Sequence, residues 1–455
     1  MRLTAPFVAL VVFVATTATS EANPADVLAT QPPTQAVATL TAKLDANDGD
    51  EANVRFALGV ATVLSGVETL GRDLHAMGPR GDVAESVPFL RLPVPMNDEP
   101  DVATPAAIAE AIDRFAITLA EARTILQEID GPVRVALPLA SIGFDFDGDG
   151  SSGDRERLMP ILRELGWVNI RVDQRDLESL DGLEQPEAPG RDATPEEREQ
   201  YREDVRQYQL EWQQQFAALT AARERAISEV VIEFDDADVE WLIAYTHLIE
   251  GFADLMLAHD ASRWFDHCGH LLFANAEQSF DFLQSSDPSF SFDNITDLIA
   301  AVHLLQFPVR DRERLLSARE HFLEAAAGSR RMFELIRAET DDGSEWIPNA
   351  NQSAAFPNIE VTDDIIDGWL VFLDDIEDVL NGERLLPFWR IESETRGINL
   401  KRVFEEQEET DVLLWFQGTA AVPYLEEGNV ATGDSIERLQ RLTRGNFFTF
   451  AAWFN

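Results

Sequence analysis

EANVRFALGVATVLSGVETLGRDLHAM, residues 51–77, carries apolar side chains at Phe56, Val60, Val63, Val67, Leu70 and Leu74. Steps of four and three gather all six onto one helical stripe but would scatter them over both faces of a strand. The rhythm returns after Thr104-Pro105, an N-cap followed by proline at the first helical position. There Ile108, Ile112, Phe115, Leu119, Ala122, Leu126 and Ile129 form a second stripe, which Gly131-Pro132 ends. Between the two lies FLRLPVPMNDEP, a proline-broken extended loop. VVIEF (230–234) reads as a short strand, and Asp235 or Asp236 then caps a helix to about Ala258. That helix is apolar over most of its circumference, as a central buried helix is. Further helices are predicted near 261–273, 293–306, 310–339 and 363–380, the last ended by Asn381-Gly382. LLPFWR and DVLLWF suggest short strands, and the apolar end NFFTFAAWFN reads as docked into the core. The fold class is therefore mainly α, a multi-helix bundle-like globule with a few short strands.

The 455 residues are 45% hydrophobic, enough for a large core. There are 82 acidic and 36 basic residues, a net charge of −46. Such a surface repels nucleic acid and anionic lipid and favours cations. It identifies no partner, because salt-adapted organisms acidify whole proteomes. Arg2 followed by the apolar run 5–18 and small residues near 20–22 reads as a signal peptide over 1–22. The run is too short for a bilayer span, and no second long apolar segment suggests an integral membrane helix. The expected location is periplasmic or secreted. Cys268 stands alone, so no internal disulfide can form. The expected organisation is an N-terminal helical region over 23–185, a charged helical arm over 186–228, and a C-terminal helical region over 229–455 packed with the first. The arm opens on PEAPGRDATPEE, with a capping box at Thr194 and Glu197.

The stretch FDFDGDGSSGDRERL, 144–158, alternates acids and then reverses at glycine. Calcium takes six to eight oxygens at 2.3–2.6 Å from a tightly curved loop. Asp145, Asp147 and Asp149 offer side-chain oxygens at alternate positions, and Gly150 permits the reversal. The Ser151 carbonyl follows, and Glu156 stands where a helix-borne carboxylate could swing back. This spacing resembles the EF-hand calcium loop in the DxDxDG form shared with dockerins, over residues 145–156 only. The resemblance implies bound Ca2+ with these five residues as ligands. It departs from the pattern at Ser152, where paired loops carry an aliphatic residue, and in the preceding VRVALPLASIG, which reads as extended rather than helical. No second such loop follows, so a structural site fits better than a sensor.

Four of the seven histidines lie between 247 and 270. Asp236, Glu240, His247, Glu250 and Asp254 fall within roughly an 80° arc of one helix. This arc is either the solvent face or a ligand stripe. His247 and Glu250, three apart, could share a metal, and His267 and His270 repeat the spacing on the next helix. Antiparallel packing would bring the four together for a transition metal such as zinc, iron or copper. YTHLIEGF also resembles the GxHxxE segment of imelysin-like helical periplasmic proteins, which are linked to iron acquisition, at His247 and Glu250 only; Tyr245 replaces the glycine. His259-Asp260 has the form of an HD dyad without its further ligands. Cys268 reads as a small core residue, and Glu426-Glu427 as paired acids or a surface turn. No GxSxG, P-loop or strand-borne GxGxxG is present. RFALGVATVLSGVETLG, LRLPVPMNDEP, AYTHLIEGFADLMLAHD, AAVPYLEEG and the terminal AAWFN resemble a family of uncharacterised exported bacterial proteins, which implies no activity. The expected function is an exported calcium-binding helical protein with a structural EF-hand-like site. The alternative is a transition-metal protein or metal-dependent enzyme using His247, Glu250, His267 and His270.

Overall fold

Each long core helix starts at a side chain that accepts a backbone N–H, satisfying one of the orphaned donors of its first turn. Asp50 caps α1 (Glu51–Met77) through Asn53, and Thr104 caps α2 (Pro105–Gln127) through Ala107. Asp235 caps α3 (Asp236–Leu257), Asp311 caps α4 (Arg312–Ala338), and Thr362 caps α5 (Asp363–Leu380). Gly78 ends α1 in the left-handed region, at φ 64°. The computed structural model describes residues 23–80, 87–164, 186–190, 193–284, 292–355, 361–391, 393–445 and 447–454. The signal-peptide reading falls on residues outside this set.

The protein is mainly α, with short two- and three-residue strands. β1 (Val135–Leu137) pairs antiparallel with β2 (Ile232–Phe234), aligning Ala136 with Glu233. This pairing ties the chain just before the acidic loop to the start of α3. One large core draws on both ends of the chain: Leu28 and Leu40, Phe56, Leu126, Ile243, Phe333, Trp369 and Phe454. The terminal segment docks as expected, forming a helix over Phe447–Phe454 whose Phe454 is fully buried. α1 is long and apolar enough to cross a membrane by length and composition, but 67% of its apolar window is buried inside the protein.

Two expectations fail locally. DVLLWF is not a strand: Asp411 caps a short helix, Val412–Gln417, and the strand precedes it at Glu409–Asp411. An N-capping aspartate outweighs the β-propensity of the apolar run. Glu156 is not borne on an α-helix; Gly153 precedes a 3-10 turn at Asp154–Glu156, and the α-helix begins only at Leu158. The arm is a helix over Pro195–Ser228, opened by the expected reciprocal bonds, Thr194 N–H to Glu197 and Glu197 N–H to the Thr194 hydroxyl. None of its described side chains is buried.

α3 lies at the centre, packed between α2 and α4. Small residues let α3 and α4 approach closely. A Cβ on Gly328 would come within 2.7 Å of the Ala244 Cβ, and one on Gly251 within 2.7 Å of the Phe322 ring. On α3 these two close approaches stand on either side of His247; on α4 one of them falls at Phe322, the residue next to His321.

Candidate functional site

The acidic loop closes on itself before any ion is considered. An antiparallel bridge joins Gly143 to Arg157, with Phe144 N–H on the Glu156 carbonyl (2.7 Å) and Leu158 N–H on the Ile142 carbonyl (3.0 Å). Phe144 and Phe146 stack at 5.2 Å and are fully buried, so the strand-like entry points its aromatic side chains into the core. The chain then reverses at Gly148 and Gly150, at φ 74° and 88°, values a side chain would resist. This reversal gathers ligand atoms of Asp145, Asp147 and Asp149 within 4.8 Å of one another. Asp149 N–H donates to Asp147 (3.1 Å), and Gly150 N–H to Asp145 (3.3 Å). Ser151 gives both its N–H (2.8 Å) and its hydroxyl (2.7 Å) to Asp149. Those two bonds hold the Asp149 carboxyl below the usual carboxylate range.

Glu156 does not stand among the three aspartates. Its carboxylate is buried and accepts Phe146 N–H (2.9 Å) on one oxygen and Gly153 N–H (2.7 Å) on the other. It therefore clamps the two sides of the loop, in place of the bidentate ligand expected from the spacing. The loop around it is closed by a β-bridge and a 3-10 turn. A helix that would carry residue 156 around to the aspartates is absent at this point.

A network that sequence reasoning missed anchors the loop to α1. Arg72 Nε donates to the Asp145 carbonyl (2.7 Å), and its Nη2 reaches Asp145 Oδ2 (3.1 Å) and Glu68 Oε1 (2.5 Å). Glu68 is fully buried and also accepts the N–H and hydroxyl of Thr34. Only the four-residue spacing of Glu68 and Arg72 was visible beforehand.

The histidines arrange differently from the sequence-based expectation. His247 and Glu250 meet His321 of α4, not His267 and His270. The two Nδ1 atoms of His247 and His321 are 2.9 Å apart, and His321 Nδ1 is 3.9 Å from Glu250 Oε2. These three residues form a convergent donor group. His321 Nε2 faces Asp254 Oδ2 at 3.9 Å. Burial lowers both imidazole pKa values, that of His247 to about 3, and Arg123 adds to the effect. The Arg123 guanidinium lies on Glu250 Oε2 and is 3.4 Å from the Thr246 hydroxyl. Arg314 bridges Asp254 (2.7 Å) and Asp113. Glu250 and Asp254 are buried, so the C-terminal half of the polar arc of α3 is an interior seam against α2 and α4, while Asp236 at its start is exposed. One turn along α3 lies a cavity of about 320 Å³ lined in part by Leu126, Glu240, Ile243, Arg331 and Leu335.

His267 and His270 lie elsewhere because the helix Ser262–Leu272 buries its other side, at Phe265, Cys268 and Leu272. His267 bonds the Arg263 carbonyl and packs on Phe280, and His270 bonds Gln278. The His259-Asp260 pair is structural: His259 bonds the Leu255 carbonyl and the Thr410 hydroxyl, and Asp260 pairs with Arg310 at 2.8 Å. Burial pushes the Cys268 thiol up to about 11, which keeps it protonated and unreactive. Glu426 accepts from Asn399 and Arg402, which hold its carboxyl down as an ionised group rather than a proton donor.

A third group, Asp235, Glu339 and Glu345, was not foreseen. Its members are 104 and 110 positions from Asp235 in the chain, too far for any local pattern to reveal. Burial and the neighbouring Asp235 carboxylate raise Glu339 from 4.5 to about 7, and burial also raises Asp235, Asp238 and Glu345. The folded state therefore retains protons that the unfolded chain releases at lower pH. Stability from this group is full below about pH 4.5 and is lost as pH rises through about 7. Denaturant midpoints measured from pH 4.5 to 8 should fall on this account, and Glu339→Gln should flatten the fall. An equal slope in the variant would refute the assignment.

No family model, curated protein or solved structure matches the chain.

Proposed function

We propose that the chain is an exported calcium-binding helical protein whose 144–158 loop holds one structural calcium ion. The observation that carries this reading is the meeting of Asp145, Asp147 and Asp149 in a loop reversed at two positive-φ glycines. Oxygens within 4.8 Å of one another can reach a single ion bound at about 2.4 Å. An all-oxygen set of carboxylates suits a hard cation rather than zinc or copper. Export is supported by the composition of residues 1–22, and outside the cytoplasm a site of about 10⁻⁴–10⁻³ M affinity suffices.

The ion would join the loop to α1 through Asp145 and Arg72, and to the core through Phe144 and Phe146. Its role is then stability, because a ligand bound only by the folded state adds RT ln(1 + [L]/Kd), about 1.4 kcal/mol at ten times Kd. Thermal melts in chelator, calcium and salt-matched sodium test this. Calcium should raise Tm, sodium should not reproduce the rise, and Asp147→Ala should remove most of it. Asp147 is exposed, so its loss leaves the apo fold intact. An equal calcium response in wild type and Asp147→Ala would show general screening of an acidic surface and end the proposal.

A further inference from the structure

We propose that His247, Glu250 and His321 form a second, separate site for a divalent first-row transition metal, and that Arg123 is the internal cation the metal displaces. The calcium loop offers oxygens only. This seam offers two imidazole nitrogens and one carboxylate, a borderline donor set that zinc and its neighbours prefer.

Three observations meet here. First, the donors converge from two helices, with Nδ1 to Nδ1 at 2.9 Å and Nδ1 to Glu250 Oε2 at 3.9 Å. Ligands around an ion at about 2.0–2.1 Å stand at just such mutual separations of roughly 3–4 Å. Second, His321 presents its other ring nitrogen to Asp254 Oδ2 at 3.9 Å. A ligating histidine characteristically has its second nitrogen directed at a carboxylate, which fixes its tautomer. Asp254 is itself held by Arg314. Third, the scaffold is rigid at this point. The Gly328–Ala244 and Gly251–Phe322 approaches fix the spacing of α3 and α4, the second of them at the residue next to His321.

Arg123 sets the condition for binding. Its guanidinium rests on Glu250 Oε2, the same oxygen that faces His321. A metal and the arginine would share that oxygen at close range, and two adjacent cations repel strongly in a half-buried seam. Glu324 interacts electrostatically with Arg123 and lies on α4 less than one turn beyond His321. It is exposed and offers the arginine a place to go. Metal entry thus exchanges an internal ion pair for coordination, and the arginine moves toward Glu324. A cavity lined in part by Glu240 and Arg331 lies one turn along α3 from His247.

Zinc binding to the full-length chain tests the proposal, measured by calorimetry and, with cobalt, by the visible ligand-field spectrum. All proteins should carry Asp147→Ala, so failure of the calcium reading cannot mask the result. One equivalent should bind. His321→Asn and His247→Asn should each weaken it by at least about 100-fold, beyond the usual cost of losing a supporting group. Arg123→Met should tighten binding about tenfold or more, and Glu324→Gln should weaken it. His267→Asn with His270→Asn should leave it unchanged. Helicity and Tm in chelator establish that each variant is folded. If His321→Asn fails to fold, the His247→Asn and Arg123→Met results still decide. Absence of stoichiometric binding, binding lost with His267 and His270 instead, or no gain in folded Arg123→Met would overturn the proposal.

Discussion

Truncation after Gly445 is expected to abolish cooperative folding. The terminal helix, Phe447–Phe454, supplies Phe454 to the central core at 1% exposure. Its ring meets Phe333 edge-on at 5.2 Å and Trp369 at 5.7 Å. Loss of one such buried phenylalanine costs about 3–5 kcal/mol. The backbone of the same segment accepts three side-chain hydrogen bonds from the core helices. Trp241 Nε1 donates to Trp453 O (2.8 Å), the Tyr245 hydroxyl to Ala452 O (2.5 Å), and the Ser329 hydroxyl to Phe454 O (3.2 Å). Tyr245 and Ser329 are buried, and withdrawing their acceptors adds about 1–3 kcal/mol each. Together these losses reach the roughly 5–15 kcal/mol that holds a typical domain folded. Denaturant unfolding followed by tryptophan fluorescence and far-ultraviolet dichroism measures this. Phe454→Ala alone should show the 3–5 kcal/mol part. A truncated protein that unfolds cooperatively within a few degrees of wild type would refute this account of the core.

How much of this was legible follows from the range over which each signal acts. α1 and α2 were visible because Phe56 to Leu74 and Ile108 to Leu126 each repeat within a single helix. Thr104, Asp235 and the Asn381-Gly382 pair marked ends because capping is a local event. DVLLWF misled because one residue, Asp411, decides its state, and the apolar run alone is ambiguous between strand and buried helix. The Asp145-Asp147-Asp149 alternation was legible for the same local reason, whereas the place of Glu156 depended on how the loop closes. His321 was invisible from the His247 side because 74 residues separate them. What pairs them is the small-residue packing of Ala244, Gly251 and Gly328, which no periodicity announces. Likewise the Glu250–Asp254 end of the polar arc on α3 could not be told from a solvent face until Arg123 and Arg314, on two other helices, were seen to cover it.

Phe146→Ala should cost about 3–5 kcal/mol and also blunt the response to calcium. Phe146 is fully buried, stacks on Phe144, and lies between two of the three gathered aspartates. Its ring fills the space above Gly71 of α1, where even a Cβ would come within 2.1 Å of it. That glycine therefore serves a close approach and not a turn. Removing the ring leaves a cavity that the neighbouring Gly71 cannot fill, and α1 is fixed along its length by the core. The loop backbone is then free to shift toward the hole, carrying Asp145 and Asp147 with it. Arg72 still holds the Asp145 carbonyl and Glu156 still holds Phe146 N–H, so the loop should loosen rather than detach. A shift of a few tenths of an ångström suffices to spoil a set of oxygens that must all lie within 2.3–2.6 Å of one ion. The expected result is a lower Tm in chelator and a smaller calcium-induced rise. Phe56→Ala supplies the comparison, because Phe56 is an equally buried phenylalanine on the same helix as Gly71 but packs against Phe234, in the part of the core that β1 and β2 cover. It should lose a similar amount of stability and keep the full calcium rise. If both variants respond to calcium as wild type does, the aromatic pair is only filler and does not position the loop. If both lose the response, the ion reports global stability rather than the geometry of residues 144–158.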